Sequence, residues 1–188
     1  RAQHQRTGEA EADSAADGPR VAPAPTSALT SGVPTSGVPY LREWAFAKRH
    51  PDLLDDVSPA QVYFEDGFKR FDADERPALI WLFVGPKGTY TPLHRDLWHT
   101  DAWIAQLRGK KLVRLWHPRH VETLSRGDRF VDLSSPDLSA FPRCHEPECV
   151  EGVLSPGDVL YVPSDWLHEV IALEDSISVS ENFMSSSA

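Results

Sequence analysis

The chain has 188 residues and a formal net charge of −9 at pH 7, a length that favours one domain with appendages. A negative balance of this size argues against binding to nucleic acids or anionic membranes, both of which need basic patches. No stretch approaches the ~18 consecutive apolar residues of a membrane span, and the first residues lack the apolar core of a secretory signal.

Residues 1–38 predict a disordered tail or linker. Ala, Ser, Thr, Gly and Pro dominate this segment, which cannot bury enough apolar surface to offset its ordering entropy. It contributes only −1 to the net charge, so −8 remains on the predicted domain, residues 39–188. The chain begins with Arg1 instead of Met, which we interpret as a fragment or a processed form.

Beyond the tail, residues 40–50 and 66–71 mix polar and apolar types and predict short N-terminal helices, and Pro118–Leu124 predicts one or two helical turns. From Pro77 onward, short apolar runs alternate with turns and predict strands at 78–84, 89–95, 101–108, 111–116, 150–154, 158–162, 167–173 and 176–183. No parallel β-α-β pattern occurs. Many short strands with long connections predict an all-β fold, a jelly roll or barrel.

The most informative motif is His94-Arg95-Asp96, followed far downstream by His168. Residues at positions i and i+2 of a strand point to the same side, so His94 and Asp96 can bind one metal ion together. With His168 they form a set of two histidines and one carboxylate, which leaves coordination positions open and suits non-haem Fe(II). A structural zinc site would need four protein ligands and more cysteine.

Two cysteines, Cys144 and Cys149, are too few for a disulfide framework and predict a reducing intracellular compartment, cytoplasmic or nuclear. A single bridge between them stays open as an alternative. The segment from Cys144 to Cys149 is also half of a possible zinc site, with His117 or His120 as a further ligand. We interpret it as a polar loop.

A resemblance to a known family rests on five segments taken together: 88–96, 103–111, 115–118, 156–168 and 177–183. With these segments, residues 40–183 resemble a JmjC-type, cupin-like 2-oxoglutarate-dependent oxygenase. The pattern is nearest to members that hydroxylate lysine, or demethylate or hydroxylate arginine, in proteins. The resemblance implies a double-stranded β-helix in which His94, Asp96 and His168 hold Fe(II).

The resemblance also implies that Lys111 binds the distal carboxylate of 2-oxoglutarate, with Thr91 as its hydroxyl partner. A buried dicarboxylate needs a cation, because an unpaired buried charge is very costly. Lys110 and Lys111 point to opposite faces of a strand, and the match to the family selects Lys111, which leaves Lys110 in solvent. Weaker candidates for the same pocket are Tyr40, Ser180 and Asn182.

The predicted activity is therefore that of an Fe(II)- and 2-oxoglutarate-dependent dioxygenase, which consumes O2 and hydroxylates a protein side chain such as Lys or Arg. The charge of the domain and the acidic residues Glu146, Glu148 and Glu151 favour a basic peptide partner. Two alternatives stay open: a non-enzymatic peptide-binding module on a degenerate oxygenase fold, and a metal-dependent cupin enzyme that does not use 2-oxoglutarate. Lys111 and Thr91 argue against the second alternative.

Overall fold

The computed structural model describes residues 39–61 and 64–185, so the tail predicted at 1–38 lies outside the described residues. This part of the chain contains eleven strands: β1 Leu41–Trp44, β2 Ile80–Gly85, β3 Tyr90–His94, β4 Asp101–Arg108, β5 Lys111–Trp116, β6 Ser125–Arg126, β7 Arg129–Phe130, β8 Val150–Leu154, β9 Val159–Val162, β10 Leu167–Ala172 and β11 Ser176–Phe183. The helices are short: α1 Leu54–Gln61, α2 Val121–Leu124, and 3-10 turns at Pro51–Leu53, Gly67–Arg70, Leu97–His99 and Pro118–His120.

The strands form two principal antiparallel sheets. The larger sheet has the order β1-β2-β11-β4-β9 and the smaller one the order β3-β10-β5-β8, while β6 and β7 form a separate hairpin. Apolar side chains from both sheets pack into one cluster, with Ile104 and Val162 from the larger sheet against Val113 and Val170 from the smaller. The sheets therefore face each other around a shared interior. This arrangement confirms the predicted all-β jelly-roll class.

Period-two alternation decides which side chains point into that interior. In β11, Ser178, Ser180 and Asn182 fall on one face, while Val179 and Phe183 fall on the other. The second face packs against the N-terminal segment in a cluster with Phe46 and Trp103. Burying an aromatic or aliphatic side chain of this kind contributes about 1.5–3 kcal/mol. The covered outer face thus stabilises the sheet and leaves its inner face for polar groups.

The prediction of a helix at residues 40–50 is wrong. Leu41–Trp44 forms β1, which pairs with β2 at the edge of the larger sheet. Tertiary pairing outweighs local composition here, as it commonly does for mixed sequences at sheet edges. Residues 66–71 do contain a short helix, the 3-10 turn Gly67–Arg70, in which the Asp66 side chain accepts a hydrogen bond from the Phe68 amide at 2.9 Å. Helix α1 and the β6-β7 hairpin were not predicted.

The segment from Cys144 to Cys149 is a loop in which the charged residues are exposed and the cysteines are not. Both thiols are unpaired and lie in a cluster with Trp116, Leu124 and Phe141. Burial raises the pKa of both cysteines, so they stay protonated at neutral pH. Among the described residues the three-residue metal-ligand geometry is found at His94, Asp96 and His168, and neither cysteine takes part in it.

None of the helices in the described ranges has the length and apolar character needed to cross a membrane.

Candidate metal centre and co-substrate pocket

The two histidines of the predicted triad are brought together by strand pairing. His94 ends β3 and lies directly opposite His168 in β10, with the ring centroids 4.1 Å apart. Asp96 lies two residues beyond the end of β3. Its Oδ1 is 3.8 Å from Nε2 of His94 and 3.9 Å from Nε2 of His168. All three ligand atoms lie within 4.8 Å of one another, which is the spacing that a single shared metal ion requires.

Hydrogen bonds to the backbone orient both imidazoles. Nδ1 of His94 lies 2.8 Å from the carbonyl oxygen of Pro92, and Nδ1 of His168 lies 3.2 Å from that of Trp166. A carbonyl oxygen accepts only, so each Nδ1 carries the hydrogen and donates it. The lone pair is then on Nε2, the atom that faces Asp96. A hydrogen bond from Nδ1 to a carbonyl oxygen is the usual arrangement for metal-binding histidines.

The electrostatics of the three residues fit a cation. Burial and the nearby His94 lower the pKa of His168 to about 3, so its imidazole is neutral, the form that coordinates a metal. Burial raises the pKa of Asp96, while His94 and a hydrogen bond from Asn182 lower it. A divalent ion would offset the cost of keeping this carboxylate ionised inside the protein. The donor set, two imidazoles and one carboxylate, suits Fe(II).

A β-bulge determines which residues of β3 accompany His94 on the inner face. His168 pairs with His94, but Val170 pairs with Thr91, so β3 contains one extra residue between these two pairs. Such a bulge changes the direction in which neighbouring side chains point. Pro92 is tolerated here because β3 is an edge strand. Thr91 and His94 both line the interior cavity as a result, while Leu93 packs into the outer cluster with Trp116.

The cluster of His94, Asp96 and His168 opens into a cavity of about 250 Å³ between the two sheets. Lys111 lines the same cavity, although its side chain is only 3% exposed. Its Nζ donates a hydrogen bond to Ser178 Oγ at 2.5 Å and lies 5.4 Å from the centre of the Phe83 ring. Burial lowers the pKa of Lys111 to about 8.

Lys111 has no acidic partner among the described residues, because no carboxylate oxygen there lies within 4.0 Å of its Nζ. A buried ammonium without a counter-ion is costly, so the cavity favours an anionic ligand. Lys110, the neighbouring lysine, is exposed and lies 3.7 Å from Glu174. The two lysines thus point to opposite faces, as expected for adjacent residues at the start of a strand.

The ladder between β5 and β10 sets the distance from Lys111 to the triad. His168 pairs with Leu115, and Ala172 pairs with Lys111, so Lys111 lies four residues along the ladder from His168 on the same face. At about 3.3 Å per residue this offset is roughly 13 Å between backbones. A lysine side chain and a small dicarboxylate, placed end to end, can bridge such a gap.

The remaining predicted pocket residues lie in two parts of the cavity. Thr91 and Tyr40 both line the cavity, and their hydroxyl oxygens are 3.2 Å apart. Ser180 and Asn182 line it from β11. Asn182 lies near Asp96, whose pKa its side chain lowers, and its Nδ2 donates a hydrogen bond to Thr100 Oγ1 at 2.9 Å.

The cavity-lining residues that were not predicted from the sequence include Ser178, Trp81 and Phe83. Ser178 could have been found from the alternation of β11, since it shares a face with Ser180 and Asn182. Trp81 and Phe83 belong to an unbroken apolar run, in which periodicity cannot tell the inner face from the outer one.

Comparisons with known proteins place this geometry in context. Residues 20–188 match the family model described as a cupin-like domain. The chain is 31% identical over 156 residues to the 2-oxoglutarate and iron-dependent oxygenase JMJD4 of Gallus gallus, covering 79% of this chain and 36% of the relative. It is 33% identical over 152 residues to lysine-specific demethylase 8 of Xenopus tropicalis, covering 77% of this chain and 33% of the relative.

A third relative, the arginine-specific demethylase JMJ20 of Arabidopsis thaliana, is 28% identical over 168 residues, covering 77% of this chain and 36% of the relative. The chain therefore spans about a third of the length of these curated relatives. The first is named an oxygenase that depends on 2-oxoglutarate and iron, and the other two are named demethylases, one specific for lysine and one for arginine.

Proposed function

This chain belongs to the family of cupin-like domains of the JmjC type, and on that premise we propose that it is an Fe(II)- and 2-oxoglutarate-dependent dioxygenase. One observation carries the proposal. The His94, Asp96 and His168 cluster and the unpaired ammonium of Lys111 line one cavity between the sheets. A metal ion at one end and an anion at the other is the arrangement that a metal-chelating dicarboxylate needs.

In the proposed site each group of residues has a separate task. Nε2 of His94, Nε2 of His168 and the Asp96 carboxylate hold the metal ion and leave further coordination positions open. Lys111 binds the distal carboxylate of 2-oxoglutarate, and Thr91, Ser178 and Tyr40 supply hydroxyl groups near it. When bound, the iron and 2-oxoglutarate supply the oxidising chemistry, in which O2 is consumed and the co-substrate leaves as succinate and CO2.

The apolar walls of the cavity complete the proposed site. Trp81, Phe83 and Ile104 line it beside these polar groups. Side chains of this kind exclude water and hold the co-substrate in one orientation, which is the protein's main contribution when a cofactor carries the chemistry.

The test of this proposal is succinate formation from 2-oxoglutarate with Fe(II) added. The wild-type chain should form succinate, and Lys111→Ala should form little at low co-substrate concentration. A chain that binds the metal but forms no succinate at any 2-oxoglutarate concentration would be a cupin enzyme of another type. A chain that binds peptides but neither metal nor 2-oxoglutarate would be a binding module on a degenerate oxygenase fold.

For the substrate we propose a basic side chain on a protein, lysine or arginine. The names of the relatives include both a lysine-specific and an arginine-specific demethylase, so they support a protein substrate without choosing between the two residues. The charge of −8 on residues 39–188 supports a basic partner. Screening succinate formation against a library of Lys- and Arg-containing peptides, free and methylated, separates these side chains and also separates hydroxylation from demethylation.

An intracellular location is part of the proposal. Its support is that Cys144 and Cys149 are unpaired and buried in an apolar cluster instead of bridged. Labelling the protein in cells and comparing cytoplasmic with nuclear signal tests it.

A further inference from the structure

Asp96 is held differently from the two histidines of the metal centre. His94 and His168 face each other across the ladder between β3 and β10. Asp96 lies beyond β3, on the loop of residues 95–100 that leads to β4. No ladder hydrogen bond fixes its distance from His168, so that distance depends on how the loop is anchored.

The loop is anchored to the turn that precedes His168. Nδ1 of His99 donates a hydrogen bond to Asp165 Oδ1 at 2.6 Å, and an Arg95 guanidinium nitrogen lies 3.5 Å from the same oxygen. Ser164 Oγ donates to the His99 carbonyl oxygen at 2.7 Å. We call this group of four residues, Arg95, His99, Ser164 and Asp165, the Asp165 clamp. It joins the segment that carries Asp96 to the segment that carries His168.

The backbone at the clamp is strained. Trp98, His99 and Asp165 have φ angles of 53°, 55° and 65°. They are three of the four non-glycine residues with positive φ among residues 39–61 and 64–185. A left-handed conformation costs about 1–2 kcal/mol for an ordinary residue. Such strain persists only where surrounding contacts hold it, and it is concentrated at functional sites.

We infer that Asp165 and His99 are positioning residues that set the distance from Asp96 to His168 and thereby the affinity of the site for a divalent metal. The inference rests on the proposed metal function. His99 follows Asp96 by three residues and Asp165 precedes His168 by three, so the bond between them closes a short bridge across the two ligand segments. Neither side chain is a member of the ligand group itself.

Other contacts keep the loop folded when the clamp is removed. Asn182 donates to Thr100 Oγ1 at 2.9 Å, while Tyr161 and the Ser164 amide both donate to Asp101 Oδ1, at 2.5 and 3.0 Å. These bonds tie the end of the loop to the larger sheet and do not involve the Asp165 or His99 side chains. Variants of the clamp are therefore expected to fold and to show a local effect.

The experiment is a titration of the metal-free chain with Co(II), followed by visible absorption, without 2-oxoglutarate. Asp165→Gly and His99→Gly remove the side chains and leave the left-handed backbone without strain. Each should raise the Kd for Co(II) about tenfold, the lower end of the range for groups that orient metal ligands. The double variant should bind no more weakly than either single variant, because both remove the same bridge.

Two further variants give the experiment its controls. His99→Asn keeps a donor near Asp165 and tolerates positive φ, so it should bind Co(II) within about twofold of wild type. Glu174→Ala breaks the exposed pair with Lys110, away from the loop, and should leave the Kd unchanged. Thermal unfolding of every metal-free variant shows whether the fold is intact.

The outcomes separate the two proposals. Wild-type affinity in Asp165→Gly, or equal weakening in His99→Asn and His99→Gly, overturns the clamp and leaves the metal site standing. A wild-type chain that binds no Co(II) overturns the metal site and the clamp together. A general loss of stability in Asp165→Gly would not explain a Co(II) affinity that is weakened in His99→Gly and near wild type in His99→Asn.

Discussion

Asp96 is the one carboxylate of the proposed triad, and its side chain approaches both histidine Nε2 atoms within 4 Å. We expect Asp96→Ala to abolish both iron retention and succinate formation, because two neutral imidazoles alone bind a divalent ion weakly. Metal analysis after gel filtration and the succinate assay measure the two losses. Retention of stoichiometric iron by the variant would mean that the metal binds elsewhere. Glu174→Ala, which removes an exposed carboxylate, should behave as wild type.

Lys111 offers a pH test at the same scale. Its pKa in the ligand-free protein is about 8, and only the ammonium attracts a carboxylate. Binding of 2-oxoglutarate should therefore weaken as pH rises above 8, by up to about tenfold per pH unit. Calorimetric titration between pH 7 and 9.5 measures the change. An affinity that stays flat over this range would exclude Lys111 as the anion-binding group.

The same shift predicts an effect on stability. The unfolded lysine has a pKa near 10.5, so between about pH 8 and 10.5 the unfolded chain binds more protons than the folded one. The buried charge therefore lowers the free energy of unfolding by its full amount below pH 8. The free energy of unfolding recovers as the pH rises toward 10.5. We expect Lys111→Met to stabilise the ligand-free protein by about 1–3 kcal/mol at pH 7 and to abolish 2-oxoglutarate binding. Denaturant unfolding measures the gain, and Lys110→Met, at an exposed site, should show neither effect.

At the scale of elements, the turn between β4 and β5 determines that β5 begins at Lys111. Gly109 has a φ of +68°, and a Cβ there would overlap the carbonyl oxygen of Asp175. Gly109→Ala should cost about 3–5 kcal/mol, because a left-handed penalty and a steric clash add. Gly127 has a φ of +60° with nothing within 4 Å of its Cβ position, so Gly127→Ala should cost only about 1–2 kcal/mol. Thermal unfolding measures the loss of stability in both variants. Equal losses would show that the clash with Asp175 is relieved in Gly109→Ala.

The strands were predictable where a short apolar or alternating run is bounded by turn residues. Predicted segments 101–108, 111–116, 150–154 and 176–183 coincide with β4, β5, β8 and β11. The N-terminal elements were not predictable. β1 is an edge strand whose structure depends on pairing with β2, a contact that local sequence does not encode. Helix α1 contains Ser58 and Pro59, residues that argue against a helix interior when the sequence is read alone.

The candidate site was predictable to a similar degree. The spacing of His94 and Asp96 within one short motif and the resemblance of the segments around Lys111 and His168 named the groups that the structure brings to one cavity. The bulge in β3 and the bond from Lys111 to Ser178 are products of three-dimensional packing. The roles of these residues remain predictions until metal and co-substrate binding are measured.

At the scale of the whole molecule, the charge of −8 on residues 39–188 predicts a salt dependence. Long-range attraction of a basic peptide is screened over a Debye length of about 8 Å at physiological ionic strength. Peptide-stimulated succinate formation should therefore fall with added salt more steeply than turnover without peptide. Initial rates at 20–500 mM NaCl test this. If the best peptide is neutral or acidic and its turnover is insensitive to salt, the charge serves solubility alone.

The pairing of β5 with β10 determines the length of the diacid that the proposed site can bind. The four-residue offset between Lys111 and His168 is locked, because slipping the ladder by one residue would turn every inward side chain outward. Diacids that differ by one methylene should therefore be discriminated by chain length. Oxaloacetate, with four carbons, would fall short of Lys111 when chelated, and 2-oxoadipate, with six, would be compressed. Length selection of this kind would be a property of the sheet register, which substitutions at the cavity walls would leave in place.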